Sequence, residues 1–215
     1  MKPRLVIFDL DGTLLDTIDD LMEAVNHAMG LRGFPTFTRD EVMAMVGHGA
    51  RNLMRQALPI GHKDDNTVDA AYNDFRDYYI THIDVYTKPF PGIQDLLAKL
   101  HQEGIMLAVA SNKFQEGTEH LIKEFFPEIP FVAVLGGRPD FPIKPDPEIV
   151  NEVLRKANVD KEDAVMVGDS DTDMETAANG GVMGIAVNWG YRDMSSIENL
   201  KVANSVEELH QILLS

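Results

Sequence analysis

The sequence predicts an α/β fold: a doubly wound parallel sheet core into which an all-helical domain is inserted. Three observations carry this expectation. Short continuous apolar runs recur along the chain, each the length of a strand buried on both faces. Amphipathic helical patterns alternate with them, which is the order that builds a parallel sheet covered by helices. One long stretch near the N-terminus breaks the alternation and holds helical patterns without a convincing strand.

The first run, Leu5-Val6-Ile7-Phe8, is β-branched and aromatic and stops at Asp9. The helical insert follows. Residues 18–29 set Leu21, Met22, Val25 and Met29 on one face, and residues 38–46 begin with Thr38-x-x-Glu41, a capping box. Residues 52–58 and 68–83 also keep the helical period. Gly47 and Gly49 fit the end of one helix and the start of the next. Met43, Met45 and Met54 read as packing residues inside this insert. Lys88-Pro89-Phe90-Pro91-Gly92 marks the return to the core.

Residues 92–103 carry Ile93, Leu96, Leu97 and Leu100 at i, i+3, i+4 and i+7, opened by Pro91-Gly92 and closed by Gly104. Strands are then expected at 105–110, 131–135, 164–167 and 182–187. Helices are expected at 114–126, 147–157 and 172–178. The core is thus assigned to residues 1–15 and 86–215, and the insert to residues 16–85. The crossings near 14–16 and 84–88 are hinge candidates.

Composition excludes several function classes. The 215 residues hold 19 Lys+Arg against 35 Asp+Glu, a formal net charge of −16, which repels phosphate backbones and anionic lipid. No nucleic-acid partner and no membrane partner are expected. The first apolar run is too short for a signal-peptide core, and a cytoplasmic protein is the default. Cysteine is absent, which removes disulfides, thiolate zinc sites and cysteine nucleophiles. Monomer and homodimer both remain open.

In open parallel sheets ligands bind beyond the carboxyl ends of the strands. Reading those ends gathers Asp9-Leu10-Asp11-Gly12-Thr13, Ser111-Asn112-Lys113, Lys144-Pro145 and Gly168-Asp169-Ser170-Asp171-Thr172-Asp173 at one rim. Carboxylates so crowded favour a hard divalent cation such as Mg²⁺, which commonly joins one or two of them to a substrate phosphate. A lysine there neutralises charge on a transferring phosphoryl group. Asp9 has the position of a nucleophile, and Asp11 that of a general acid and base. Ser111, read alone, is a helix N-cap that also suits a ligand. Asp171 reads as a helix-dipole residue; for Asp173 that role and a role in the site are compatible. Trp189-Gly190-Tyr191-Arg192 reads as a packing corner.

Asp9-x-Asp11-Gly12-Thr13-Leu14, Ser111-Asn112, Lys144-Pro145 and Gly168-Asp169-Ser170-x-x-Asp173, in this order, resemble the four motifs of the haloacid dehalogenase superfamily. The resemblance implies a Rossmann-like core, a helical cap formed by the insert, and Mg²⁺ as cofactor. It implies that Asp9 is the nucleophile and a metal ligand. Asp11 would be the acid/base, giving its backbone carbonyl to the metal, and Asp169 the second metal carboxylate. Thr13, Ser111, Asn112 and Lys144 would bind the phosphoryl group, with Lys144 also catalytic, and Ser170 and Asp173 would stand behind the metal ligands. An aspartate two residues after the nucleophile points to phosphate ester or anhydride hydrolysis, or to a mutase.

The segment Val46-Gly47-His48-Gly49-Ala50-Arg51-Asn52-Leu53 and the run Pro89-Phe90-Pro91-Gly92-Ile93 look like those of phosphoglycolate phosphatase-like members. They make His48 and Arg51 candidates for substrate specificity. Ala110-Ser111-Asn112-Lys113 also resembles related pyrophosphatases. The expected activity is hydrolysis of a small phosphorylated metabolite through an aspartyl-phosphate. Alternatives are a pyrophosphatase or nucleotidase, a β-phosphoglucomutase-like phosphomutase, and, from another class, a phospho-accepting signalling module.

Overall fold

The computed structural model describes residues 2–195, 197 and 200–214. The chain divides into two compact units, one made of Met1–Asp16 and Pro89–Ser215 and the other of Thr17–Lys88.

The first unit is built on six parallel strands: β1 (Leu5–Phe8), β4 (Met106–Phe114), β5 (Phe131–Gly137), β6 (Ala164–Gly168), β7 (Met183–Val187) and β8 (Lys201–Ala203). Two-residue strands β2 (Leu15–Asp16) and β3 (Lys88–Pro89) lie where the chain passes between the units. The order across the sheet is β5-β4-β1-β6-β7-β8, with every neighbouring pair parallel. β1 therefore lies inside the sheet, in register with β4 through Phe8↔Val109 and with β6 through Phe8↔Val167.

All four β1 side chains are fully buried, each worth ~1.5–3 kcal/mol relative to exposure. Leu5 and Ile7 point to a face shared with Ala108, Ala110 and Met166. That face is covered by Ile149, Val150 and Val153 of α7 (Glu148–Ala157) and by Ala177 of α8 (Asp171–Gly180). Val6 and Phe8 are buried on the opposite face, as strand alternation requires. Helices α5 (Ile93–Gln102) and α6 (Gln115–Phe125) pack against β4, and α9 (Val206–Leu214) packs against α5 and β8. With both faces covered, the sheet is doubly wound.

The second unit holds α1 (Ile18–Gly30), α2 (Arg39–Met45), α3 (Ala50–Ala57) and α4 (Asp65–Tyr79). α1 and α4 form its main helix pair, with Val25, Met29, Phe75 and Tyr79 fully buried. The Thr38–Glu41 capping box is present: Thr38 N donates to Glu41 Oε2 at 2.8 Å, and Glu41 N donates back to Thr38 Oγ1 at 3.4 Å. Gly49, at φ 78°, is the N-cap of α3, where a side chain would be strained. Met54 is buried, whereas Met43 and Met45 are half-buried. α4 begins three residues before the expected 68, because Asp64 caps it by accepting from Thr67 N at 3.1 Å, and it ends at Tyr79.

One buried polar group fastens this unit internally. Asp20, in the first turn of α1, accepts from Tyr86 N at 3.0 Å, from Thr87 N at 2.8 Å and from Thr87 Oγ1 at 2.7 Å.

Two core elements differ from expectation. β4 continues four residues past Ala110, so Ser111 lies in the strand and caps no helix; α6 starts only after Phe114. Its pairing with β5 resumes at Phe114↔Gly137 after an irregularity, which carries the extended backbone onward. Neither β8 nor α9 was anticipated. β8 is three residues long, begins with the exposed Lys201, and gives no alternation to read.

Candidate active site

Topology explains why distant residues meet. β1, β4 and β6 are adjacent and parallel, so their carboxyl ends share one rim. Asp9 follows β1 directly, and its backbone N–H donates to the Val167 carbonyl of β6 at 2.9 Å. Asp169 follows β6 directly. The chain crosses from one side of β1 to the other between β5 and β6, which makes this the switch point where such sheets bind ligands.

Lys144 anchors the cluster. Its buried ammonium donates to Asp9 Oδ1 at 2.7 Å, to Asp173 Oδ1 at 2.7 Å and to the Ala110 carbonyl at 3.0 Å. Asn112 sets its position: the Asn112 carboxamide accepts from Lys144 N at 2.8 Å and donates to the Lys144 carbonyl at 3.1 Å. A residue expected among the phosphate binders thus turns its side chain to the lysine's main chain, because the extension of β4 brings it alongside.

Asp173 serves two purposes at once. Its Oδ2 accepts from Ser170 N at 3.1 Å and Ser170 Oγ at 2.6 Å, and the Ser170 hydroxyl caps the start of α8. Its other oxygen faces Lys144. Asp169 Oδ2 accepts from Tyr191 N at 2.6 Å, and Thr13 Oγ1 lies 3.5 Å from Asp169 Oδ1. Thr13 is fully buried, and its carbonyl accepts from Trp189 Nε1 at 3.1 Å. The corner at residues 189–192 is therefore more than packing. Its backbone holds a site carboxylate, and Gly190 sits so close to the Gly12 carbonyl and Asp169 that no Cβ fits there.

Ser111 is buried and accepts from Lys113 N at 3.1 Å. Asp11, half-buried, forms an ion pair of 2.9 Å with Lys113, whose side chain is 3% exposed. The sequence puts Lys113 in the rim loop without marking a role for it. The available signal was its place two residues after Ser111, at the strand end that supplies a site residue.

The electrostatics of the cluster favour a cation. Burial first, and then the Asp173 charge, push the Asp9 carboxyl well above its ordinary value, against the pull of Lys144. Burial and Asp173 likewise push Asp169 up to about 7, opposed by the Tyr191 N–H and by Lys144. Burial would lower Lys144, but Asp173 and Asp9 overcome it and hold the ammonium above its usual range. Ligand oxygens of Asp9, Asp169 and Asp173 lie within 4.8 Å of one another. Three carboxylates against the one ammonium of Lys144 leave a formal charge of −2, which one divalent cation cancels. Asp173 already uses one oxygen on Lys144 and the other on Ser170. Asp9 and Asp169 are therefore the carboxylates that could hold a metal, and all-oxygen donors suit Mg²⁺.

The two candidates from the helical unit have different surroundings. His48 is exposed between α2 and α3. Arg51, in α3, pairs with Asp69 at 2.6 Å and with Asp65 at 3.1 Å.

Comparison with known proteins agrees with this architecture. The sequence model of the haloacid dehalogenase-like hydrolase family matches residues 6–187. A phosphoglycolate phosphatase of Mesorhizobium japonicum is 33% identical over 198 residues, spanning 90% of this chain and 86% of that one. One from Vibrio parahaemolyticus is 30% identical over 222 residues, spanning 98% and 96%. Among solved structures, a candidate phosphoglycolate phosphatase from Lactobacillus delbrueckii subsp. bulgaricus is 31% identical, with a TM-score of 0.93 over 99% of both chains.

Proposed function

The chain belongs to the haloacid dehalogenase-like hydrolase family, and we propose that it is a Mg²⁺-dependent phosphatase of a small phosphorylated metabolite, phosphoglycolate or a close analogue. The observation that carries this reading is the buried meeting of Asp9, Asp169, Asp173 and Lys144 at the switch point of the sheet. Phosphoglycolate enters because it is the substrate named for the curated relatives.

In this reading an oxygen of Asp9 attacks phosphorus. The bond to the ester oxygen breaks, and Asp11 gives that oxygen a proton. Asp11, now a carboxylate, takes a proton from the water that attacks the aspartyl-phosphate. Inorganic phosphate leaves and the Asp9 carboxylate returns. Lys144 and Ser111 face the charge on the phosphoryl oxygens. Asn112 keeps Lys144 in place, and Thr13 with the Tyr191 N–H keeps Asp169 in place. Asp9, Asp169 and the Asp11 carbonyl would hold a Mg²⁺ ion, which would supply the positive charge needed for an anionic substrate beside buried carboxylates. The helical insert, residues 16–85, acts as a cap that selects substrate, with His48 ahead of Arg51 because Arg51 is engaged with Asp65 and Asp69.

The test is phosphate release from phosphoglycolate, pyrophosphate, nucleoside monophosphates and sugar phosphates, with Mg²⁺, with EDTA, and with Asp9→Asn. Metal-dependent release that Asp9→Asn abolishes is expected. Absence of release from every compound would defeat the reading. Turnover that requires a bisphosphorylated activator would make the protein a mutase instead.

A further inference from the structure

We propose that Lys113 is a specificity residue that selects substrates whose leaving group carries a negative charge beside the scissile oxygen. The proposal rests on the phosphatase reading, with Asp11 as the proton donor. Lys113 lies outside the four motifs, yet its ammonium is buried at the same rim, 2.9 Å from Asp11 Oδ1.

Geometry fixes what such a cation meets. A proton donor works at ~2.6–3.2 Å from the oxygen it protonates. Whichever carboxyl oxygen of Asp11 carries the proton, the Lys113 ammonium then stands within roughly 8 Å of the leaving oxygen, beside the group that protonates it. A carboxylate attached to the ester carbon, as in phosphoglycolate, places its oxygens three bonds from the leaving oxygen and inside that span. The second phosphate of pyrophosphate places anionic oxygens two bonds away. Both present the same chemistry, an anion adjacent to the departing oxygen. Lys144 cannot take this role, since its ammonium is directed to Asp9, Asp173 and the Ala110 carbonyl. A buried ammonium gains most from a charged partner, because water is excluded and charge-assisted hydrogen bonds are the strong ones.

A purely structural Lys113, one that only balances the Asp11 charge, would affect every substrate alike. The experiment therefore reads a ratio. Wild type, Lys113→Met and Lys113→Arg are compared by kcat/KM on phosphoglycolate, pyrophosphate and 2-hydroxyethyl phosphate, an ester of similar size whose leaving group is neutral. Wild type is expected to prefer an anionic substrate. Lys113→Met is expected to lower the anionic-to-neutral preference at least about 10-fold, the worth of one hydrogen bond to a charged group. Lys113→Arg keeps most of the preference. The ratio cancels the amount of active enzyme, so a poorly folded preparation still reports. A loss confined to phosphoglycolate assigns the anion as a carboxylate, and one confined to pyrophosphate as a phosphate; either supports the proposal. Equal losses on charged and neutral substrates, or a wild type that prefers the neutral ester, overturn it and leave the phosphatase reading intact. A wild type that hydrolyses none of the three, together with the failed panel above, overturns both.

Discussion

Replacing Asp20 by alanine removes the acceptor shared by Tyr86 N, Thr87 N and Thr87 Oγ1. Asp20 is 2% exposed and Thr87 6%, so water cannot simply take the carboxylate's place. The Thr87 hydroxyl can rotate to another acceptor, but the two main-chain donors cannot. An unsatisfied buried donor costs ~1–3 kcal/mol, which for two donors sets the expected loss at about 2–6 kcal/mol. The lower part of that range follows if the Tyr86 N–H, the more solvent-accessible of the two, is rehydrated. Such a loss is large against a typical stability of ~5–15 kcal/mol. Asp19→Ala is the control: it removes only a half-exposed ion pair with Arg39, worth at most about 1 kcal/mol. The assay is urea denaturation followed by circular dichroism at 222 nm. If Asp20→Ala falls within about 1 kcal/mol of wild type, or no lower than Asp19→Ala, the argument from stranded donors is wrong.

Three further outcomes are expected. Lys144→Met should lower kcat by at least about 100-fold, since it removes a charge aimed at the reacting group; steady-state kinetics on the best substrate of the panel measures this. Gly190→Ala should push the corner off Asp169 and break the 2.6 Å bond from Tyr191 N. Mg²⁺ affinity is then expected to weaken about tenfold or more, as for other lost supports of metal ligands, read as the Mg²⁺ dependence of turnover. The third concerns pH. Asp169 is raised from 3.8 to about 7 in the folded chain, so the native state holds this proton more tightly than the unfolded state. Its contribution to stability is complete below 3.8 and is lost as pH rises toward 7. Mg²⁺, which favours the charged form, should therefore raise Tm more at pH 8 than at pH 5 in thermal melts; an equal or larger shift at pH 5 would contradict this.

Much of the first unit was legible because burial on both faces writes a strand as an unbroken apolar run. Leu5–Phe8 and Ala164–Gly168 show this, and they are the strands whose ends carry Asp9 and Asp169. The Thr38–Glu41 box was legible because capping is local chemistry, settled within four residues. What could not be read depends on contacts distant in sequence. β4 runs on through Ser111 and Asn112 because β5 pairs again at Gly137, a residue far along the chain. Asn112 faces the Lys144 backbone for a reason visible only once the two are adjacent. The corner at 189–192 reads as packing in one dimension, because its important group is the Tyr191 main-chain N–H, which every residue but proline possesses. Lys113 was inconspicuous for another reason: a lysine in sequence is ordinarily a solvated one, and only its 3% exposure beside Asp11 marks it out.

The indole of Trp189, held to the Thr13 carbonyl at 3.1 Å, is the chain's single tryptophan. Its emission therefore comes from one place, the corner at residues 189–192 where it touches the loop that leads from Asp9 through Gly12 and Thr13. Excitation near 295 nm gives an optical probe of that loop with no label attached and no second indole to dilute it. Titrating metal or phosphate while following this signal separates occupancy from turnover, so variants that have lost catalysis still report whether they bind.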